Sequence, residues 1–333
     1  MRLRLTAIVA AVLLFAGVTA VPPATANPSS GLQRLCLVNE HAPNLEHTVR
    51  VPSWMVDRLI EKTLSYRGPC AEYGDRAPLG AGEQVAYTQR VGSRPIAVGW
   101  RVDGDSLQGL PTDPPNAGLW CYDKNGDGTT DRMTECTGGY ETKLDLSDRF
   151  TDAVHSQFSY VLNNWNPMGH MPPHVYDLPH FDVHFYLNDN AERLAIRPGP
   201  CPALVNCEDY KLGKDLPDDR YVAPDYADLD AVEPAMGNHL IDPTGPEFNG
   251  ERFTHTFIYG SWDDEITFYE PMITHEWLAG VADGTQQSAC YPMKLPDAWQ
   301  QSGWFPTRYC IRDLDNRDEL SVSMEGFVYR QAA

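Results

Sequence analysis

Gly169-His-Met-Pro-Pro-His-Val-Tyr-Asp-Leu-Pro-His-Phe-Asp-Val-His-Phe-Tyr186 carries four of the chain's ten histidines and two aspartates. From His180 onward the residues alternate. Phe181, Val183, Phe185 and Leu187 fall on one side, and His180, Asp182, His184 and Tyr186 on the other. A period of two is that of a β-strand, here with one apolar face and one face of ligand types. Neutral imidazole and ionised carboxylate are the usual N and O donors of transition metals. Residues two apart on a strand lie roughly 6.5–7 Å apart and can share an ion, whereas His180 and His184, about 13 Å apart, cannot without a bulge. The spacing therefore predicts His180 with Asp182, or Asp182 with His184, completed by ligands from elsewhere. An ordinary half-buried strand with a wetted polar face gives the same alternation. His170 and His174 flank Pro172-Pro173, which forbids a helix and puts both on a stiff extended loop able to line or cover a site.

Outward from this strand, further strands are predicted over 84–89 and 95–102, joined at Gly92-Ser93, and near 158–165, 239–241, 253–259, 266–270 and 320–329. Gly260 to Glu265 reads as a hairpin turn. Thr274 is placed to cap a helix over 275–281. Pro-rich connections cover 197–202 and 217–234. The expected fold is mainly β, an antiparallel sheet or barrel-like core with few helices, braced by disulfides, with an α+β arrangement as the alternative.

Arg2 and Arg4, an apolar run over 6–18 and Ala24-Thr25-Ala26 read as a secretion signal over 1–26, which predicts an extracellular protein. Residues 27–78 read as a small Cys-bounded unit whose helix is capped by Ser53, carries Val56, Leu59, Ile60 and Leu64 at helical spacing, and ends by Gly68-Pro69. The rest, 79–333, forms the histidine-rich β domain. Export makes disulfides the default for all eight cysteines, and the spacing suggests sequential neighbours: Cys36–Cys70, Cys121–Cys136, Cys201–Cys207 and Cys290–Cys310. The formal charge of −20 argues against nucleic acid and anionic membrane as partners and suits cation binding.

The segment at about 117–140 contains Asp123, Asn125, Asp127, Thr129 and Asp131 at the spacing of a calcium loop, with Gly128 at its sharp turn. The twelfth position is Thr134, so Glu135, one place late, is the candidate bidentate ligand. A plain turn of Asx and Gly residues is the alternative. Further candidates for the transition metal are His239, Glu270 and the His275-Glu276 pair, while His255 fits a core histidine. There is no Gly-x-Ser-x-Gly, His-Glu-x-x-His or phosphate loop, which disfavours serine hydrolysis and nucleotide chemistry.

Trp165-Asn-Pro-Met-Gly-His170, Pro172-Pro173, Tyr176, Pro179-His-Phe-Asp-Val-His-Phe-Tyr186, Met236-Gly-Asn-His239, Phe257-Ile-Tyr-Gly260 and Glu270-Pro-Met-Ile-Thr274 resemble an uncharacterised bacterial family, the domain-of-unknown-function group typified by TTHB-type hypothetical proteins. The resemblance runs from about residue 79 to the C-terminus. It implies a fold and a shared polar cluster of His170, His180, Asp182, His184, His239 and Glu270, and nothing about the acidic loop or the N-terminal unit.

Two functions follow as expectations. One is a β cavity holding zinc, iron, manganese or copper, with Tyr186 orienting water or substrate and metal-dependent catalysis of a small molecule as the extension. The other is a non-catalytic extracellular module that binds carbohydrate or protein through Trp120, Trp262, Trp277, Trp299 and Trp304, the histidines being structural.

Overall fold

A computed structural model describes residues 31–39 and 41–333, and the segment read as a secretion signal lies outside the described residues. Strand content of 43% against 18% helix decides for a mainly β protein over the α+β alternative. A seven-stranded antiparallel sheet runs in the spatial order Ala227–Glu233, Gly237–Ile241, His255–Trp262, Glu265–Thr274, His180–Tyr186, Tyr160–Asn166, Tyr140–Asp145. A six-stranded one runs Ala289–Pro292, Arg308–Leu314, Glu319–Glu325, Arg94–Asp103, Gly82–Val91, Glu72–Leu79. Neither sheet closes on itself, so the barrel-like expectation is corrected to open sheets with edge strands.

The two sheets share one core. Phe181, Val183 and Phe185 from the first meet Ala86, Val98, Trp100, Val322 and Met324 from the second. Phe181 lies between Trp100 and Trp165, with ring centroids 5.5 and 4.7 Å away. Each such buried side chain contributes roughly 1.5–3 kcal/mol relative to exposure, which fixes strand register because a one-residue slip would turn the histidine face into this core.

The second face of the His180–Tyr186 strand is also buried, along its whole length. Tyr160, Leu162, Tyr186, Ile258, Phe268 and Met272 form a separate apolar cluster there, covered by Tyr176 and Phe253 from the connecting loops. The wetted polar face is thereby corrected. Between them, the Pro-rich loop after Asn166 and the segment after Ile241 roof the sheet and exclude solvent from its ligand-bearing side.

The first strands, Leu32–Asn39 and Ala42–Pro52, form a three-stranded sheet with Tyr66–Arg67, and the helix spans Ser53–Lys62 with Val56 buried. Ser53 does not cap this helix. It is the first helical residue, and its hydroxyl donates to the Gly31 carbonyl at 2.8 Å. This unit docks on the second sheet through Asn316, whose amide donates to the carbonyls of Thr63 and Ser65, both at 2.8 Å. Glu72–Leu79 pairs with Gly82–Val91, so the chain joins the six-stranded sheet before residue 79. All four disulfides join the sequential neighbours, leaving no free cysteine and hence no thiolate for a metal. No helix among the described residues is long and apolar enough to cross a membrane.

Candidate metal centre

The centre spans four neighbouring strands, three of which supply a ligand. In the register set by Phe268 opposite Tyr186 and Met272 opposite Asp182, Glu270 stands opposite His184. Pro271 has no N–H to give, and the ladder between these two strands skips from Tyr269–Phe185 to Met272–Asp182 without a register change. His239 comes from the next strand but one, where it pairs with Gly260. A side chain at Gly260 could not exist there: a Cβ would lie 2.1 Å from the Phe268 ring. The Phe268 ring uses that space and stands edge-on to His184 and His239, with centroids 4.9 and 5.0 Å away.

The six expected ligands divide into two groups, each with its ligand atoms within 4.8 Å of one another. In the first, His184 Nε2 is 3.5 Å and His239 Nε2 3.8 Å from the Glu270 carboxylate. In the second, His180 Nε2 is 3.0 Å and His170 Nε2 3.3 Å from the Asp182 carboxylate. Ligands at 2.0–2.1 Å around a tetrahedral ion are separated by about 3.4 Å, so both groups have the size of a coordination shell. His180 does pair with Asp182, completed by His170. The other expected pair, Asp182 with His184, does not form a group. His184 turns instead to Glu270, which is consistent with the long spacing of a regular strand.

Hydrogen bonds fix three of the four rings. Nδ1–H of His170 donates to the Met171 carbonyl at 2.8 Å, that of His180 to Leu178 at 2.6 Å and that of His239 to Ala231 at 3.0 Å. A carbonyl can only accept, so each of these rings carries a proton on Nδ1 and turns its Nε2 toward the carboxylate, where the neutral ring has a lone pair free for a metal. Orienting bonds of this kind are the usual outer support of metal-bound histidine. Neither nitrogen of His184 has a hydrogen-bond partner in the protein, nor do His180 Nε2, Asp182 Oδ1 and Glu270 Oε2, all of them buried. Buried polar atoms left in this state cost about 1–3 kcal/mol each, and a shared cation would satisfy both sides.

Electrostatics separate the two groups. Burial, reinforced by Asp182 and Glu233, pushes the Glu270 carboxyl well above the ordinary range. Burial pulls the His184 imidazole down to about 3. Burial also opposes charge on His170, but the neighbouring Asp182 carboxylate outweighs it and raises the ring to about 9. For Asp182 burial acts upward, and the two imidazoles hold it well below the usual range.

Asn164 and Asn166, absent from the expected ligands, lie on the same face, opposite Asp182 and His180. Asn166 donates to Asp182 Oδ2 at 2.6 Å. Asn164 is fully buried with both amide atoms unpartnered. The alternation Leu162, Asn164, Asn166 was the available signal. Tyr186, expected to orient water, is a packing residue: it stacks on Tyr160 at 4.9 Å, and its hydroxyl donates to the Met236 carbonyl at 3.4 Å.

The remaining candidates lie elsewhere. The His174 side chain is 95% exposed beside Asp177. His275 Nε2 bonds the Leu107 carbonyl, and Glu276 pairs with Arg252. His255 is a core histidine, against Trp277 and Tyr291 and 2.8 Å from the Tyr309 hydroxyl. Each of the five tryptophans is half-buried; Trp277, Trp299 and Trp304 pack on the main core, and Trp262 on the cluster of Ile196, Val205 and Val232.

In the acidic loop, Asp123 accepts from the amides of Gly126, Asp127 and Gly128, and Asn125 from that of Asp127. Asp127 accepts from Thr129, Asp131 from Met133 and Thr134, and Glu135 from the amides of Lys124, Asn125 and Asp131. Its carboxylates do not meet as a group.

No protein-family model, curated protein or solved structure matches the chain.

Proposed function

We propose that the chain is an extracellular metal-dependent protein whose buried His184, His239 and Glu270 hold a transition-metal ion. The observation that carries this is the convergence of the three side chains at coordination-shell separations, with both His184 nitrogens and Glu270 Oε2 buried and unpartnered. The four disulfides favour an oxidising compartment.

Two imidazoles and one carboxylate form a ligand set of the catalytic rather than the closed structural kind, because a fourth position is left open. When bound, such an ion supplies Lewis-acid activation of water or of a carbonyl. His239 is held by Ala231 for this task and Glu270 by its strand. The unpartnered Asn164 amide, on the same sheet face, is placed to donate to or accept from a small polar ligand. Phe268 and the stacked Tyr160–Tyr186 pair keep bulk water from the ligand atoms. The reading is thus metal-assisted chemistry on a small polar molecule.

Elemental analysis of the purified protein tests it. Stoichiometric zinc, iron, manganese or copper is expected, with the share held by this group lost in His239→Ala and in Glu270→Gln. A folded His239→Ala chain that binds as much metal as the parent would defeat the proposal.

A further inference from the structure

The second group of ligands, His170, His180 and Asp182, shares only its strand with the site just described. Its three ligand atoms meet within 4.8 Å, yet none comes from the strand that supplies Glu270 or the one that supplies His239. His180 is completely buried, and its Nε2 has no hydrogen-bond partner although Asp182 Oδ1 lies 3.0 Å away. Asp182 Oδ1 is equally unpartnered. Two acceptor lone pairs facing each other at this range repel unless a proton or a cation lies between them. Both rings of the group are braced from behind by backbone carbonyls, and the other carboxylate oxygen, Asp182 Oδ2, is held by Asn166.

We infer that this is a second, separate transition-metal position, so that the molecule holds two ions on one sheet face. Asp182 and His184 are successive on that face, roughly 6.5–7 Å apart along the strand. No side chain belongs to both groups, so the two ions share no ligand, unlike a two-metal centre bridged at roughly 3.5–4 Å.

The two positions differ in access. His170 sits on the Pro-rich loop with its side chain 21% exposed, whereas the side chains of His184, His239 and Glu270 are 0, 9 and 1% exposed. The second position therefore exchanges its ion with solvent faster. His170 is its removable ligand, and His180 with Asp182 remains behind as a two-ligand stub.

The competing arrangement is a metal-free ion pair between His170 and Asp182, and stoichiometry separates the two. The full chain, stripped with chelator and reloaded with Co²⁺ or Zn²⁺, is expected to take up about two ions, one released several-fold faster to a competing chelator. His170→Ala, on a partly exposed loop, is expected to keep the fold by circular dichroism and bind about one ion, with the fast-release phase gone. His180→Gln provides a second removal should the loop variant rearrange. Uptake by the parent chain, of one ion or of two, that neither His170→Ala nor His180→Gln lowers would overturn the inference. Failure of the preceding proposal has a different signature: His239→Ala would leave uptake unchanged while His170→Ala still lowered it by one ion.

Discussion

Two regions of this molecule read as cation sites in sequence, and they use their carboxylates in opposite ways. In the loop from Asp123 to Glu135 every acidic side chain closes on backbone amides or hydroxyls a few residues away, so the acids serve as local turn caps. Thr129 and Thr134 hold the Asp127 and Asp131 carboxyls below their ordinary range by hydrogen bonding. On the buried face of the seven-stranded sheet the acids meet imidazoles instead, and several ligand atoms have no protein partner at all. The loop has more acids and the better motif. The sheet face has lone pairs that are not already committed. A buried transition-metal site is marked by uncommitted, converging donors in low dielectric, a signal that the number of acids in a short segment does not carry.

The largest expected effect is a difference between metals. A ligand at a hundredfold excess over its Kd stabilises the folded state by about 2.7 kcal/mol, so chelation followed by Zn²⁺ or Co²⁺ should lower and then restore Tm by several degrees. Added Ca²⁺, acting on a loop that already satisfies its own acids, should shift Tm by less than a third as much. Equal responses to the two ions, read by differential scanning calorimetry, would erase the distinction between the regions.

A smaller effect concerns what the sheet face costs the protein when no metal is present. Glu270 Oε2 is buried without a partner, and burial with Asp182 and Glu233 nearby disfavours its ionised form. Glu270→Gln removes that acid while keeping the shape. The metal-stripped variant should be as stable as the stripped parent at neutral pH, or more stable by about 1–2 kcal/mol, while losing the metal-induced gain. Denaturant midpoints with and without Zn²⁺ provide the check. A stripped variant markedly less stable than the stripped parent would make Glu270 a structural residue.

Much of the fold was legible because its signals are local. Alternation over 180–186 and the Gly92 turn between Gly82–Val91 and Arg94–Asp103 mark strands without reference to anything distant. The cysteine pairs were legible for the same reason, since each brackets its own loop. The partnership of His184 with Glu270 was not, because it depends on the register of two strands far apart in the chain. Burial of the histidine face was hidden as well. It results from Tyr176 and Phe253 closing over the sheet, and a Pro-rich loop and a turn give no local sign of where they will settle. The strand Ala289–Pro292 is too short to show a period, whereas Tyr140–Asp145 does alternate, Tyr140, Thr142 and Leu144 against Glu141, Lys143 and Asp145, and is nonetheless absent from the expected strands. Asn164 escaped because its strand begins with apolar residues on both faces.

The smallest effect tests the other half of the comparison. Asp123 accepts three amides, from Gly126 at 2.7 Å, Asp127 at 3.2 Å and Gly128 at 2.8 Å. It is to its loop what an N-cap is to a helix, and Asp123→Ala should cost about 1 kcal/mol. Cys121 and Cys136 close the loop at its base, so the damage should stay inside it. Amide exchange at 126–128 should therefore accelerate several-fold in the variant, with the strands bearing His184 and Glu270 unchanged and with the same rates in EGTA as in millimolar Ca²⁺. Should parental amides 126–128 be protected only when Ca²⁺ is present, the carboxylates would be serving an ion as well as the backbone, and the loop would belong with the sheet face rather than opposite it.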